Sequence, residues 1–101
     1  MKIIWMGVTA LEYDGECIHQ SRRMKKHPIL RKINTVEDLC NYLMKRISLR
    51  EDAVKLHAYR TGMDESEVKN AVNEALANKD VNFLANLACG VNAVDDLRIV
   101  V

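Results

Sequence analysis

The sequence is poor in the residues that interrupt or specialise a fold. It has one Pro and four Gly, the glycines standing alone at positions 7, 15, 62 and 90, which excludes a glycine-rich phosphate-binding loop. Its three cysteines, Cys17, Cys40 and Cys89, form no Cys-x-x-Cys. An odd, scattered set of thiols argues against the dense, even framework of a small secreted scaffold and suits a reducing compartment. No apolar run approaches the ~20 residues of a membrane helix. The stretch Ile3 to Leu11 is broken by Gly7 and Thr9 and ends at Glu12, so it reads as strand rather than as a signal peptide. Neither low-complexity tract nor internal repeat is found. The cytoplasm is the expected location, and no membrane partner is called for.

What is present describes an ordinary globular chain: 101 residues, 49% apolar and 29% charged, enough for one hydrophobic core and one domain over 1–101. The net charge is only +1, but it is unevenly spread. Residues 1–50 hold ten Lys and Arg against five Asp and Glu, whereas residues 51–101 hold five against nine. Between Glu16 and Glu37 there is no acid, and that window contains Arg22, Arg23, Lys25, Lys26, Arg31 and Lys32.

The expected fold is α+β. Asp14-Gly15 is a type I′ turn dipeptide, which predicts an N-terminal hairpin over 1–24. A two-residue turn pairs Tyr13 with Glu16, Leu11 with Ile18, Thr9 with Gln20 and Trp5 with Met24. The first strand, Lys2 to Tyr13, is apolar on both faces, as in the centre of a sheet; the second, Glu16 to Met24, ends basic like an edge strand. Residues 97–101 form a β-branched segment that would pair with the first strand, giving three strands in the order 2-1-3. A basic loop follows over 25–34, where Pro28 disfavours helix.

Residues 35–90 read as four helices. Thr35/Asp38, Ser48/Glu51 and Asp64/Glu67 are three capping-box pairs. Val36, Leu39, Cys40, Leu43, Met44 and Ile47 recur at helical spacing. The second helix, 49–61, turns Leu49, Ala53, Leu56 and His57 or Tyr59 inward and stops at Gly62. The third, 65–78, buries Val68, Ala71, Val72, Ala75 and Leu76. The fourth runs from Asn82 to Cys89, with Gly90 closing it.

The segment from Val54 to Asn73 resembles a helix-turn-helix. Ala58 allows close helix approach, Gly62 permits the turn, and Met63 and Val68 fill the angle between the helices. The resemblance implies DNA contacts from Lys69, Asn70 and Asn73. It departs from the pattern at the start of the recognition helix, where Asp64, Glu65 and Glu67 would face a polyanion. Extended through Asp80 to Leu87, the same region is also similar to ubiquitin-associated three-helix domains.

Chemistry is sparse. Cys17 and His19 lie two apart on one strand, half of a metal site with no second pair of suitable spacing. Cys40 sits on an apolar stripe and Cys89 at a helix C-terminus, where the dipole opposes thiolate formation. Asp95-Asp96 and Glu51-Asp52 are adjacent acids that need no catalytic explanation. The expectation is a non-catalytic module without cofactor or metal: a small regulator, adaptor or inhibitor that meets a protein partner through the basic residues 22–32. The alternative is DNA binding through the helices around Gly62. An uncovered strand edge or helix face would permit a homodimer.

Overall fold

The computed structural model describes residues 1–49, 52–89 and 96–101. It is an α+β structure with a four-stranded antiparallel sheet and four α-helices among the described residues. The strands are β1 (Lys2–Trp5), β2 (Val8–Tyr13), β3 (Ile18–Gln20) and β4 (Leu97–Val100), in the order β3-β2-β1-β4.

The expected first strand is therefore two strands, and the sheet has four rather than three. Met6 and Gly7 both take positive φ, 54° and 78°, and fold the chain back so that Trp5 pairs with Val8. This is the backbone of a two-residue primed turn. Gly7 accepts it readily and Met6 does so at a cost, so the sequence signals only half of it. The pairing shifts between Ile3↔Leu11 and Ile4↔Thr9. That bulge places the consecutive residues Ala10 and Leu11 both in the core and explains the apolar run that mimics a central strand.

The second hairpin also differs from expectation. Tyr13 pairs with Ile18, Glu12 with His19 and Leu11 with Gln20, so Asp14–Cys17 forms a four-residue loop rather than a two-residue turn. Asp14 sets its length. Its Oδ1 accepts from the backbone N–H of Glu16 and of Cys17, each at 2.8 Å, an Asx turn that a two-residue connection could not hold. The second strand stops at Gln20, and residues expected on the strand and the basic loop instead form two 3-10 helices, Arg22–Lys26 and Leu30–Lys32.

The helices are α1 (Val36–Ser48), α2 (Ala53–Thr61), α3 (Glu65–Ala77) and α4 (Val81–Ala88). Thr35 and Asp38 close a complete capping box at the start of α1, and Asp80 caps α4 through the Phe83 N–H. Ser48 is no N-cap: it is the last residue of α1, and its hydroxyl donates to the Lys45 carbonyl. Its expected partner Glu51 lies outside the described residues, as does Gly90. Asp64 stands at the N-cap of α3 without a side-chain bond. Gly62 ends α2 in the left-handed conformation, φ 72°, as its place in the sequence predicts.

Ile3, Leu11 and Ile99 share one row of the ladder and are buried with Leu39, Leu43 and Leu84 in a single apolar cluster. Leu49, expected at the start of α2, instead caps the end of α1 and is exposed. On α2 the inward residues are Ala53 and Ala58, whereas Leu56 and Tyr59 are exposed, Tyr59 at 88%. The reason is close packing: α2 approaches α3 and α4 through small residues, with the His57 ring edge-on to Phe83 at 5.6 Å. Arg46 is buried on α1, donating to the Tyr42 hydroxyl at 2.9 Å and to the Leu97 carbonyl at 2.8 Å, and so ties α1 to β4. No helix among the described residues is long and apolar enough to cross a membrane.

Candidate functional site

The basic segment is built on a period of three. Met24, His27, Leu30 and Ile33 are buried, while the intervening positions carry Arg22, Arg23, Lys25, Lys26, Arg31 and Lys32. A 3-10 helix has three residues per turn, so this spacing sends one residue in three into the core and the pairs between them outward. The backbone follows: Met24 N–H donates to Ser21, His27 to Met24, Lys32 to Ile29 and Ile33 to Leu30. The Gln20 side-chain amide donates to the Ile33 carbonyl, fastening the end of the segment to β3.

Of the six cations, Arg22, Lys25, Lys26, Arg31 and Lys32 are exposed and enter no ion pair among the described residues. Arg23 differs. It is half-buried, with its guanidinium 5.9 Å from the centre of the Trp5 ring and 3.9 Å from the Met6 sulfur. A cation over an indole face is held in place, so Arg23 serves packing as well as charge.

Below the cations lies a polar knot. His27 Nδ1 accepts from the backbone N–H of Ile29 at 3.1 Å and of Leu30 at 3.4 Å, which leaves the ring proton on Nε2. Nε2 donates to Asp96 Oδ1 at 2.8 Å, and Trp5 Nε1 donates to Asp96 Oδ2, also at 2.8 Å. The two rings meet edge to face, 5.0 Å apart at 86°. The His27 bond first, and the Trp5 bond next, hold the Asp96 carboxyl below the usual carboxylate range. This is an aspartate–histidine pair, but both ring nitrogens are occupied by structural bonds, so His27 offers no base to a substrate. It joins the basic segment to the end of β1 and to the residue that precedes β4.

The remaining candidates have local roles. His19 Nε2 meets Asp14 Oδ2 at 2.7 Å, closing the loop that contains the exposed Cys17. Backbone bonds from Cys17, then the His19 contact, hold the Asp14 carboxyl far below its ordinary value. Among the described residues no three His, Cys, Asp or Glu side chains gather as a metal site would require. Burial pushes the Cys40 thiol upward, and the Cys89 thiol donates to the Asn86 carbonyl at 3.2 Å.

The helix-turn-helix-like residues sit apart from the basic segment. Ala58 and Val68 are buried at the α2–α3 junction, while Met63 is 36% exposed. Lys69, Asn70 and Asn73 are exposed on α3, as are Asp64, Glu65 and Glu67 at its start. Lys69 and Asn73 line a groove of about 360 Å3 with Met44, Ile47, Val54 and Val72; Asn70 does not.

A second groove, of about 270 Å3, runs between the second 3-10 helix and α1. Pro28, Ile29 and Lys32 stand on one side, Asn41 and Lys45 on the other, with Ile33 and Tyr42 buried at its base. It shares no residue with the first groove. Sequence reasoning missed Lys45 and the apolar residues here, since they meet only through packing of α1 on the 3-10 segment; the period of three was the available signal.

No family model matches this chain, and comparison with curated proteins and with solved structures finds no match either.

Proposed function

We propose that the chain is a non-catalytic protein-binding module, a small regulator, adaptor or inhibitor, whose basic surface from Arg22 to Lys32 engages an acidic surface of a larger protein. One observation carries this reading: five exposed cations without ionic partners among the described residues, on a backbone pinned by four buried side chains. Cations held this way attract and orient an acidic partner over distance. A backbone already ordered loses less entropy on binding than a mobile basic loop. The segment has no exposed aromatic side chain on which unpaired bases would stack, which favours protein over single-stranded nucleic acid. Three unpaired cysteines support a cytoplasmic setting.

The test is affinity purification from native cells with the wild-type chain and with Arg22→Glu/Lys25→Glu/Lys26→Glu as baits. Arg23 is left intact because it packs on Trp5. A protein retained by the first bait and lost from the second, with both equally folded, is the expected result. Retention by both overturns the role of the basic surface.

The second reading is a DNA-binding regulator using α2 and α3. Burial of Ala58 and Val68 around a left-handed Gly62 favours it, since those positions shape the helix-turn-helix angle. The exposed Asp64, Glu65 and Glu67 oppose it. It requires duplex binding through Lys69, Asn70 and Asn73 that weakens by roughly one power of salt concentration per phosphate contacted. Absence of duplex binding at low salt dismisses it.

A further inference from the structure

We infer that the groove between the second 3-10 helix and α1 receives one aliphatic side chain of an acidic peptide segment, with carboxylates on both sides of that anchor. The inference rests on the reading of Arg22–Lys32 as a protein-binding surface and names the chemistry of the partner there.

Size comes first. At about 270 Å3 the groove lies at the lower end of the ~300–1,000 Å3 of small-molecule pockets, and it has room for one aliphatic side chain. Its surfaces are apolar where the anchor would rest: Pro28 and Ile29 are exposed on one wall, above Ile33 and the Tyr42 ring. The Tyr42 hydroxyl is engaged by Arg46 on its inner side.

Charge selects the flanks. Lys32 and Lys45 stand on opposite walls, and the exposed Arg31 precedes Lys32. Neither lysine is in an ion pair among the described residues. One acid, Asp38, also lines the groove. Its carboxylate accepts the backbone N–H of Asn34 and Thr35 and caps α1, so its charge is already turned to the helix end. A chain crossing the groove passes one cation before its anchor and another after it. Carboxylates on both sides are complementary; lysines would be repelled.

Three fluorescent peptides test this on the full chain by anisotropy at about 20 mM salt, where surface charges are weakly screened. The first is acidic with one central leucine between glutamates, the second has serine for leucine, and the third has lysines for glutamates. The leucine peptide is expected to bind about tenfold more tightly than the serine peptide, as burial of one aliphatic side chain allows. The lysine peptide should not bind. Ile29→Ser, and Asn41→Trp from the opposite wall, should each abolish the leucine preference while keeping the weaker binding of the serine peptide. Lys32→Glu/Lys45→Glu should weaken both acidic peptides. Equal binding of leucine and serine peptides, or a preference surviving both groove variants, overturns the groove while leaving the basic surface in place. If neither acidic peptide binds, the groove and the basic-surface reading fall together. Circular dichroism and thermal midpoint establish that each variant is folded.

Discussion

Asp96 joins three parts of the chain through one carboxylate, with Trp5 on β1 and His27 on the basic segment as its donors. Its pKa is depressed in the folded state, so the carboxylate is bound more favourably there than in the unfolded chain. The stability this supplies is present above the ordinary carboxylate pKa of ~3.9 and is lost as pH falls through the lower, folded value. Asp14 and Asp38 are shifted the same way by backbone donors, so acid should weaken the fold through all three. Asp96→Asn removes one share. Its amide presents an N–H where either Trp5 or His27 also presents one, so a hydrogen bond is lost at neutral pH. The variant's thermal midpoint should therefore be lower at about pH 7 and fall less than the wild type's between about pH 5 and pH 2. Because Trp5 is the only tryptophan, its emission reports on the same contact. An identical pH dependence in both proteins would show that the carboxylate is not held as described.

At the scale of elements, the turn between β1 and β2 is a poor match of residue to geometry. Met6 occupies the left-handed region at φ 54° and is 69% exposed, a conformation costing ordinary L-residues roughly 1–2 kcal/mol. Asn tolerates it, and Asn-Gly is the favoured pair for such turns. Met6→Asn should therefore stabilise by about 0.5–1 kcal/mol, read as a rise in thermal midpoint of roughly 3–6 °C. An unchanged or lower midpoint would mean that the Met6 contact with Arg23 outweighs the strain. The same mismatch explains what was legible beforehand. The α-helices were readable because Leu39 and Leu43, and Val68 and Val72, repeat at helical spacing and Thr35 and Gly62 mark helix ends. Asp80, the cap of α4, is not among the expected helix ends, and that helix is expected only from Asn82. The first turn was hidden because Met is an unusual occupant of its first position and the Ala10 bulge imitates a continuous strand. The 3-10 pair was hidden because its period of three lies between the periods of strand and α-helix, with Pro28 read as a loop mark. The run of six cations is plain in the sequence, but the 3-10 backbone that carries them is not, since the segment reads as an edge strand and loop. The groove beside them depends on where α1 docks, which local patterns do not encode.

Across the whole molecule, the sheet is closed by the most distant pairing in the chain, Lys2 with Val100 and Trp5 with Leu97. Helices α1 to α4 depend largely on local bonds, whereas β1 has β4 as its partner on one side and loses it if residues beyond Asp95 are removed. That truncation deletes the buried Leu97 and Ile99, each worth about 1.5–3 kcal/mol, the carbonyl that receives Arg46, and the carboxylate that gathers Trp5 and His27. The apolar loss alone, roughly 3–6 kcal/mol, is comparable to the ~5–15 kcal/mol that holds a domain of this kind folded. The uncovered edge of β1 would also offer unpaired backbone groups to other chains. A chain ending at Asp95 should keep much of its helical far-ultraviolet signal, lose the ordered near-ultraviolet signal of Trp5, unfold without a sharp transition and aggregate as concentration rises. Because His27 then loses its acceptor, the basic segment should lose its fixed form and bind an acidic partner more weakly, although all six of its cations remain. Unchanged binding by the truncated chain would show that charge alone suffices, and that the ordering of the segment by the closing strand contributes nothing to recognition.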